Sequence, residues 1–358
     1  MSGAHDTYEL VGHDDAEKLV LSAIRSGRLP HAWLIAGPKG IGKATLAYRF
    51  ARFLLVDGAT PDLLGNYPDS LFVDPDHPVS KRVAADSHGD LMVVERTPDP
   101  KKSNSDVLRT RVVVDQVRAV GRFFSQTSSE GGWRITIVDG AEEMNANAAN
   151  ALLKILEEPP SQSLLLLVSH APGRLLPTIR SRCRMLQCRP LSDMDVSTVL
   201  SHQLPDLSEA ENMALARLSE GSPGRAVALS NAGGLDAYCE LIALLSNLPK
   251  VDYVKVHALA DRFQRREGQE AFTIWMDLFR LWLMRMVRGA ASGESNAEAV
   301  AGESELQARL VGAGSLDKWI DLWDTTNELT AKAFTVNLDR KQVVLSTFFE
   351  LERTAQGA

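Results

Sequence analysis

Cysteine is scarce in this chain. Cys183, Cys188 and Cys239 are the three it has among 358 residues, with neither the density of a disulfide scaffold nor a C-x-x-C spacing. They read as small apolar side chains in a reducing compartment rather than as a metal site. A surplus of positive charge is missing as well. Lys and Arg total 39 against 46 Asp and Glu, a formal net charge of −7. That excludes bulk charge as the driver of nucleic-acid binding and leaves the role only to a local basic strip. No apolar stretch reaches membrane-spanning length; residues 272–287 come closest, and Asp277, Arg280 and Arg285 interrupt them. The N-terminus lacks a charged-then-apolar signal segment. Together these absences predict a cytoplasmic protein. Internal repeats are lacking too. The remainder is ordinary, 44% apolar and 24% charged, with length for two or three domains.

One motif stands out by what it has and by what it omits. Gly37-Pro38-Lys39-Gly40-Ile41-Gly42-Lys43 follows an apolar run at 32–36 and leads into a helical pattern at 44–55. Strand, loop and helix form the setting of a phosphate-binding loop. Gly37, Gly40 and Gly42 let backbone N–H groups turn toward phosphate oxygens, Lys43 adds a point charge, and the helix N-terminus favours the anion. The next residue, where a Ser or Thr hydroxyl would hold magnesium, is Ala44. Thr45 follows, but one step along a helix turns it about 100° away from the metal. A later strand pattern, 134–138, ends in Asp139-Gly140 with no glutamate after the aspartate. The sequence predicts a nucleotide-type domain that has lost part of its hydrolytic equipment.

Five apolar runs, 32–36, 91–95, 134–138, 163–169 and 184–188, alternate with helical patterns such as 114–126 and 147–156. Alternation predicts an α/β fold with a five-stranded parallel sheet covered on both faces. Ligands of such sheets sit beyond the carboxyl ends of the strands, where the phosphate loop and Asp139 both fall. Residues 57–90 and 98–106 read as surface loops. After Pro190 the strand signals stop. Short helices are expected at 193–203, 208–219 and 224–230, and the chain is helical again from 235. There Phe272, Trp275, Met276, Phe279, Trp282, Leu283 and Met286 recur at helical spacing, as a core or a subunit seam rather than a cofactor box. Residues 289–305, rich in small side chains, are expected to be mobile. The resulting division is a P-loop α/β domain at 1–190, a small helical lid at 191–234 and an all-helical C-terminal domain at 235–358.

The stretch Asn150-Ala151-Leu152-Leu153-Lys154-Ile155-Leu156-Glu157-Glu158-Pro159-Pro160, followed by Ser181-Arg182-Cys183, resembles the clamp-loader branch of the AAA+ ATPases. Arg28-Leu29-Pro30-His31-Ala32 and Leu175-Leu176-Pro177-Thr178-Ile179-Arg180 are similar to it as well. The resemblance covers residues 9–230; beyond them it rests on helical content and domain order. Members of that branch open ring-shaped sliding clamps and place them on primed DNA. The resemblance implies that Arg182 points across a subunit interface at a neighbour's ATP. A guanidinium suits this because its planar fork matches phosphate oxygens and keeps its charge, and an arginine finger in trans is worth about 10³–10⁵ in rate. The alternative is a solvated rim charge among Arg174, Arg180, Arg184 and Arg189. Gly221-Ser222-Pro223-Gly224-Arg225 is similar to the branch's second sensor, which implies that Arg225 reads nucleotide phosphates; a plain helix-start arginine is the alternative. Ser169 and His170 lie near the first sensor position. The helix before Pro159, capped by Asn145 or Asn147 and stopped by the prolines, carries packing rather than chemistry.

Departures from the branch are equally informative. Its ATP-hydrolysing members carry Ser or Thr after the loop lysine and an Asp-Glu pair after the third strand. Here the residues are Ala44 and Asp139-Gly140-Ala141-Glu142, with Glu142 and Glu143 already past the strand. Both losses imply a stationary, non-hydrolysing subunit that holds ATP weakly or as a vestige. Its C-terminal helices would form a collar. The partners so implied are motor subunits of the gamma/tau type, a delta subunit, the sliding clamp and, through the assembled complex, primer–template DNA, with no membrane. The rival is an active ATPase motor subunit using Lys43, Thr45 and Asp139. Many relatives carry a four-cysteine zinc module where this chain has residues 57–90. That stretch has no cysteine, and His77 and His88 lack a tetrahedral spacing, so neither zinc nor another metal site is expected.

Overall fold

In the computed structural model, residues 3–61, 64–98, 109–265, 267–293, 297–313, 315–335 and 338–357 are described. From the N-terminus the elements are α1 (Asp14–Arg25), β1 (Ala32–Ala36), α2 (Lys43–Leu55), α3 (Pro78–Ala84), β2 (Leu91–Val94), α4 (Val114–Ser125), β3 (Arg134–Asp139), α5 (Ala146–Glu157), β4 (Ser163–Ser169), α6 (Pro177–Arg180) and β5 (Arg184–Gln187). The five expected strands are present, with ends moved by one residue in β2, β3 and β5. Asp139 joins β3 because it still pairs with Val168. All pairings are parallel, in the order β2-β3-β4-β1-β5. β1 and β4, which read as unbroken apolar runs, are buried along their whole length, as strands covered on both faces must be.

That order aligns three strand ends. Ala36, the last residue of β1, pairs with Ser169 of β4, and Asp139 of β3 pairs with Val168. The phosphate loop, Asp139 and Ser169 therefore meet at one end of the sheet. Two helices cover one face: Val117, Val120 and Phe124 of α4 join Ala148, Leu152 and Leu156 of α5 in a buried cluster with β1, β3 and β4 side chains. Asn145 caps α5 by accepting from Ala148 N at 2.8 Å.

Apart from residues 62 and 63, which lie outside the described residues, the stretch 57–90 is more ordered than its composition suggests. Pro78 opens α3, and His77 Nδ1 accepts from Val79 N at 3.2 Å to cap it. The connection before it is tied to the helices: Glu17 Oε1 of α1 accepts from Arg49, from Ser70 Oγ at 2.9 Å and from the Leu71 amide. Residues 99–106, expected as a loop, lie outside the described residues.

The chain divides into two compact units, 1–192 and 193–358. The second is helical: α7 (Asp193–Gln203), α8 (Glu209–Leu218), α9 (Pro223–Asn231), α10 (Gly234–Leu245), α11 (Tyr253–Gln264), α12 (Gly268–Ser292), α13 (Glu303–Ala313), α14 (Leu316–Thr335) and α15 (Arg340–Ala355). Every member of the aromatic stripe on α12 is buried within the chain. Trp275 stacks on Phe279 and meets Phe348 of α15, with centroids 5.6 and 5.7 Å apart. The stripe is core, not a seam between subunits. Of residues 289–305, expected as a mobile loop, 294–296 lie outside the described residues, while helix continues to Ser292 and resumes at Glu303. The buried Glu303 carboxylate accepts from Tyr238 OH at 2.7 Å, Arg285 Nε at 3.1 Å and Ala299 N at 2.8 Å, which pins the approach to α13. Among the described residues no helix is long and apolar enough to cross a membrane.

Candidate functional site

The loop between β1 and α2 is shaped by close approaches that only glycine permits. A Cβ on Gly37 would lie 2.5 Å from the Cys188 carbonyl oxygen, and Gly42, at φ +101°, caps α2 in a conformation L side chains rarely adopt. Gly42 offers no side chain to the first turn of α2, so the helix's leading N–H groups remain directed at the loop. Gly37 N donates to Ser169 O at 3.2 Å, which joins the loop to the end of β4. The candidate phosphate residues Gly37, Gly40, Gly42 and Lys43 thus sit together, and Asp139 arrives at the same end of the sheet on β3.

The charged groups of this cradle are largely shielded from water. Lys43 is buried, and its Nζ donates to the Pro38 carbonyl at 2.5 Å. Burial lowers its pKa, while Asp139 and Glu142 oppose that shift. Burial also pushes the Asp139 carboxyl up, with Lys43 pulling the other way. Glu142, in the turn after β3, has a side chain only 2% exposed. Its Oε1 accepts from the His170 amide at 3.1 Å and from His170 Nδ1 at 2.6 Å. Desolvation alone would raise its pKa, but hydrogen bonds from Ser169 and the His170 backbone outweigh it and leave the carboxyl below its ordinary value. Ser169 and His170, placed near the sensor position, act here as partners of Glu142. Neighbouring Glu143 is diverted to Arg96 at 2.8 Å.

A further residue of this cradle is His13, which sequence reasoning passed over. It stands just before α1, is buried, and its Nε2 lies 2.6 Å from the Ile41 carbonyl inside the loop. Burial lowers its pKa, and because a carbonyl oxygen only accepts, Nε2 carries the hydrogen. No sequence signal marked it, because a polar residue ahead of an acidic first turn reads as a helix cap.

Thr45 lies in the first turn of α2, past Ala44, and is half-buried. Arg182 is elsewhere: it precedes β5, at the opposite end of the sheet from the loop. Its Nη1 donates to Thr178 O at 3.0 Å and its Nη2 to Glu157 Oε1, at the end of α5, at 2.9 Å. These use two of the five N–H donors of a guanidinium, and the side chain is 37% exposed. Arg225 belongs to the second unit, in the first turn of α9, where its amide donates to Ser222 Oγ and its Nη1 to Glu220 Oε2 at 2.5 Å. The cysteines are free thiols; burial pushes Cys188 up to about 11 and Cys183 to about 12. Among the described residues no group of three or more His, Cys, Asp or Glu is placed to hold a metal ion.

Comparison with known proteins agrees with this geometry. The model of a family described as DNA polymerase III, delta subunit, matches residues 12–192. A DNA polymerase III subunit delta′ of Pseudomonas aeruginosa is 37% identical over 221 residues, 62% of this chain and 62% of that protein. The delta′ subunit of Escherichia coli is 32% identical over 281 residues, 77% of this chain and 76% of its own length. A tau/gamma subunit of Haemophilus influenzae is 28% identical over 60% of this chain and 28% of that one. The match to the Pseudomonas protein therefore spans somewhat less than two thirds of it. A parallel sheet in this order with a phosphate loop after its first strand in the order of the chain is an α/β P-loop fold.

Proposed function

The chain belongs to the DNA polymerase III delta-prime family, and we propose that it is a stationary, non-hydrolysing subunit of a clamp loader, which helps set the sliding clamp on primed DNA. The observation that carries this reading is the bonding of Glu142. Glu142, the first acidic side chain after Asp139, has its Oε1 committed to the His170 amide and Nδ1 and its Oε2 shut away from solvent, which argues against its orienting an attacking water. Ala44 offers no oxygen to a metal, and Asp139 is biased toward its neutral form by burial. The cradle fits phosphate better than it fits magnesium. Gly37, Gly40, Gly42 and Lys43 would hold the phosphates of a weakly bound ATP, with Arg225 as a second-sensor contact. Lys43 would leave the Pro38 carbonyl to do so. Thr45 and Asp139 would contribute little.

In this reading the productive chemistry lies in Arg182, offered in trans to the ATP of an adjacent motor subunit. Its exposure and its three uncommitted donors support that role. Residues 191–234 would be the lid and 235–358 the collar that joins the ring. The tau/gamma relative supports a neighbour of that type; the delta subunit, the clamp and primer–template DNA complete the proposed assembly. ATP turnover by the purified chain alone tests the reading. Negligible turnover is expected, since the metal hydroxyl and the water-orienting group are both missing. Steady turnover that Lys43→Ala abolishes would transfer the chain to the motor class.

A further inference from the structure

Three stretches that lie far apart in sequence, 28–32, 150–160 and 175–183, meet at the C-terminal end of α5. His31 Nε2 donates to the Leu156 carbonyl at 3.2 Å, Glu157 Oε1 accepts from Arg182 Nη2 at 2.9 Å, and Thr178 O accepts from Arg182 Nη1 at 3.0 Å. Both acceptors of the guanidinium stand on fixed ground. Glu157 is the last residue of α5, and Pro159 and Pro160 prevent the helix from running on. Thr178 belongs to α6, whose Ile179 is buried in the same cluster as Leu152 and Leu156 of α5.

Glu157 is hard to account for as a stabilising residue. A carboxylate at the C-terminal end of a helix opposes the helix dipole, and Glu158 adds a second one beside it. The ion pair it makes is open to water, with the Arg182 and Glu157 side chains 37% and 50% exposed, and such pairs add little to folding. It is also selective. Arginines stand at 174, 180, 182, 184 and 189, and Arg182 alone of them has a carboxylate partner among the described residues.

Resting on the reading of Arg182 as an arginine finger in trans, we propose that Glu157 is its positioning residue. Glu157 and the Thr178 carbonyl take hydrogens from different terminal nitrogens, so the plane of the fork is fixed at two points. One N–H on each terminal nitrogen and the Nε–H remain for phosphate oxygens. A long surface side chain otherwise samples many rotamers, and holding it in one meets that entropy cost before the neighbour's phosphate arrives. His31 serves the same end indirectly, by tying the last turn of α5 to the residue ahead of β1.

The test is the clamp- and DNA-stimulated ATPase of the complex reconstituted with the full-length chain, each variant checked for assembly and for an unchanged melting curve. Glu157→Ala should reduce about tenfold the part of that activity which Arg182→Ala removes. Glu157→Gln, which keeps an acceptor oxygen, should restore most of it. In the Arg182→Ala background, Glu157→Ala should have no further effect, whereas a purely structural carboxylate would add a loss of its own and overturn the proposal. Wild-type activity in Glu157→Ala beside a defective Arg182→Ala overturns the positioning role and leaves the proposed function standing. A rise in activity overturns it too, since the carboxylate would then be holding the arginine back. Wild-type activity in Arg182→Ala overturns both.

Discussion

The two ends of the same sheet treat charge in opposite ways. At the phosphate-loop end, Lys43, Asp139, Glu142 and His13 are buried or nearly so, and they bond to one another's elements: Lys43 to Pro38, Glu142 to His170, His13 to Ile41. At the end where β5 begins, Arg182 is exposed and holds only two anchors, Thr178 and Glu157. Partners within the chain tie the first group of side chains to the fold, although Glu142 Oε2 is buried without one. Donors left over at an exposed site bond water unless something outside the chain takes them, as the proposed neighbour would at Arg182. On the proposed reading, the scaffold has lost its own chemistry, turned those residues to structural use, and kept the part that serves a neighbour.

The largest effect that would break this contrast concerns Arg182. In the reconstituted complex, Arg182→Ala should lower the rate at the one site it completes by about 10³ or more, read as clamp- and DNA-stimulated ATPase and as clamp loading. Arg182→Lys should also be defective, because an ammonium does not reproduce a bidentate fork. The isolated chain should lose only about 0–1 kcal/mol of stability, the range of exposed ion pairs. Wild-type clamp loading by the alanine variant would reduce Arg182 to a rim charge.

The cradle should behave the other way round. Glu142→Ala leaves the His170 amide and the Ser169 hydroxyl without their acceptor, at a cost of about 1–3 kcal/mol, measurable by urea unfolding of the isolated chain. An unchanged midpoint would mean that the carboxylate is not structural. A smaller, pH-dependent effect follows from the same group. Its folded pKa lies below the ordinary value of 4.5, so its contribution is present above the unfolded pKa and is lost as pH falls through the folded one. Melting temperature between neutral pH and the acid side of 4.5 should therefore decline less steeply in Glu142→Gln than in the wild type. Equal slopes would contradict the assignment. The smallest expected effect is that of magnesium: titration with a fluorescent ATP analogue should give weak binding that chelation barely alters. Tight binding that collapses on chelation would restore a metal to the cradle.

Much of the fold was legible in the chain. The five apolar runs marked all five strands, and glycines spaced around a strand–helix junction marked the loop. Boundaries moved where pairing rather than composition decides, as at Asp139. The order of 57–90 was hidden because it depends on Glu17 and Arg49, distant in sequence, and on a proline and histidine that open α3. The aromatic stripe of α12 was recognisable as buried, but not as buried entirely by its own chain. In the site, the omissions at Ala44 and Gly140 were plain. The diversion of Glu142 to His170 and the clasp of His13 on Ile41 were not, since each joins residues 28 apart and leaves no periodic trace.

What the sequence determined by itself is the list of parts: a phosphate loop without its metal hydroxyl, a strand end without its glutamate, and Arg182 among four neighbouring arginines. These are local facts, set by residue type and spacing. Only the tertiary structure decided what each part faces. The parallel order brings Ala36, Asp139 and Ser169 to one end, where Lys43 and Glu142 are held by partners of their own chain. The same order makes β5 an edge, leaving Arg182 and its arginine neighbours in water. Side-chain charge is written in the chain, but whether that charge is spent inside or offered outside depends on burial, and burial is a property of the fold.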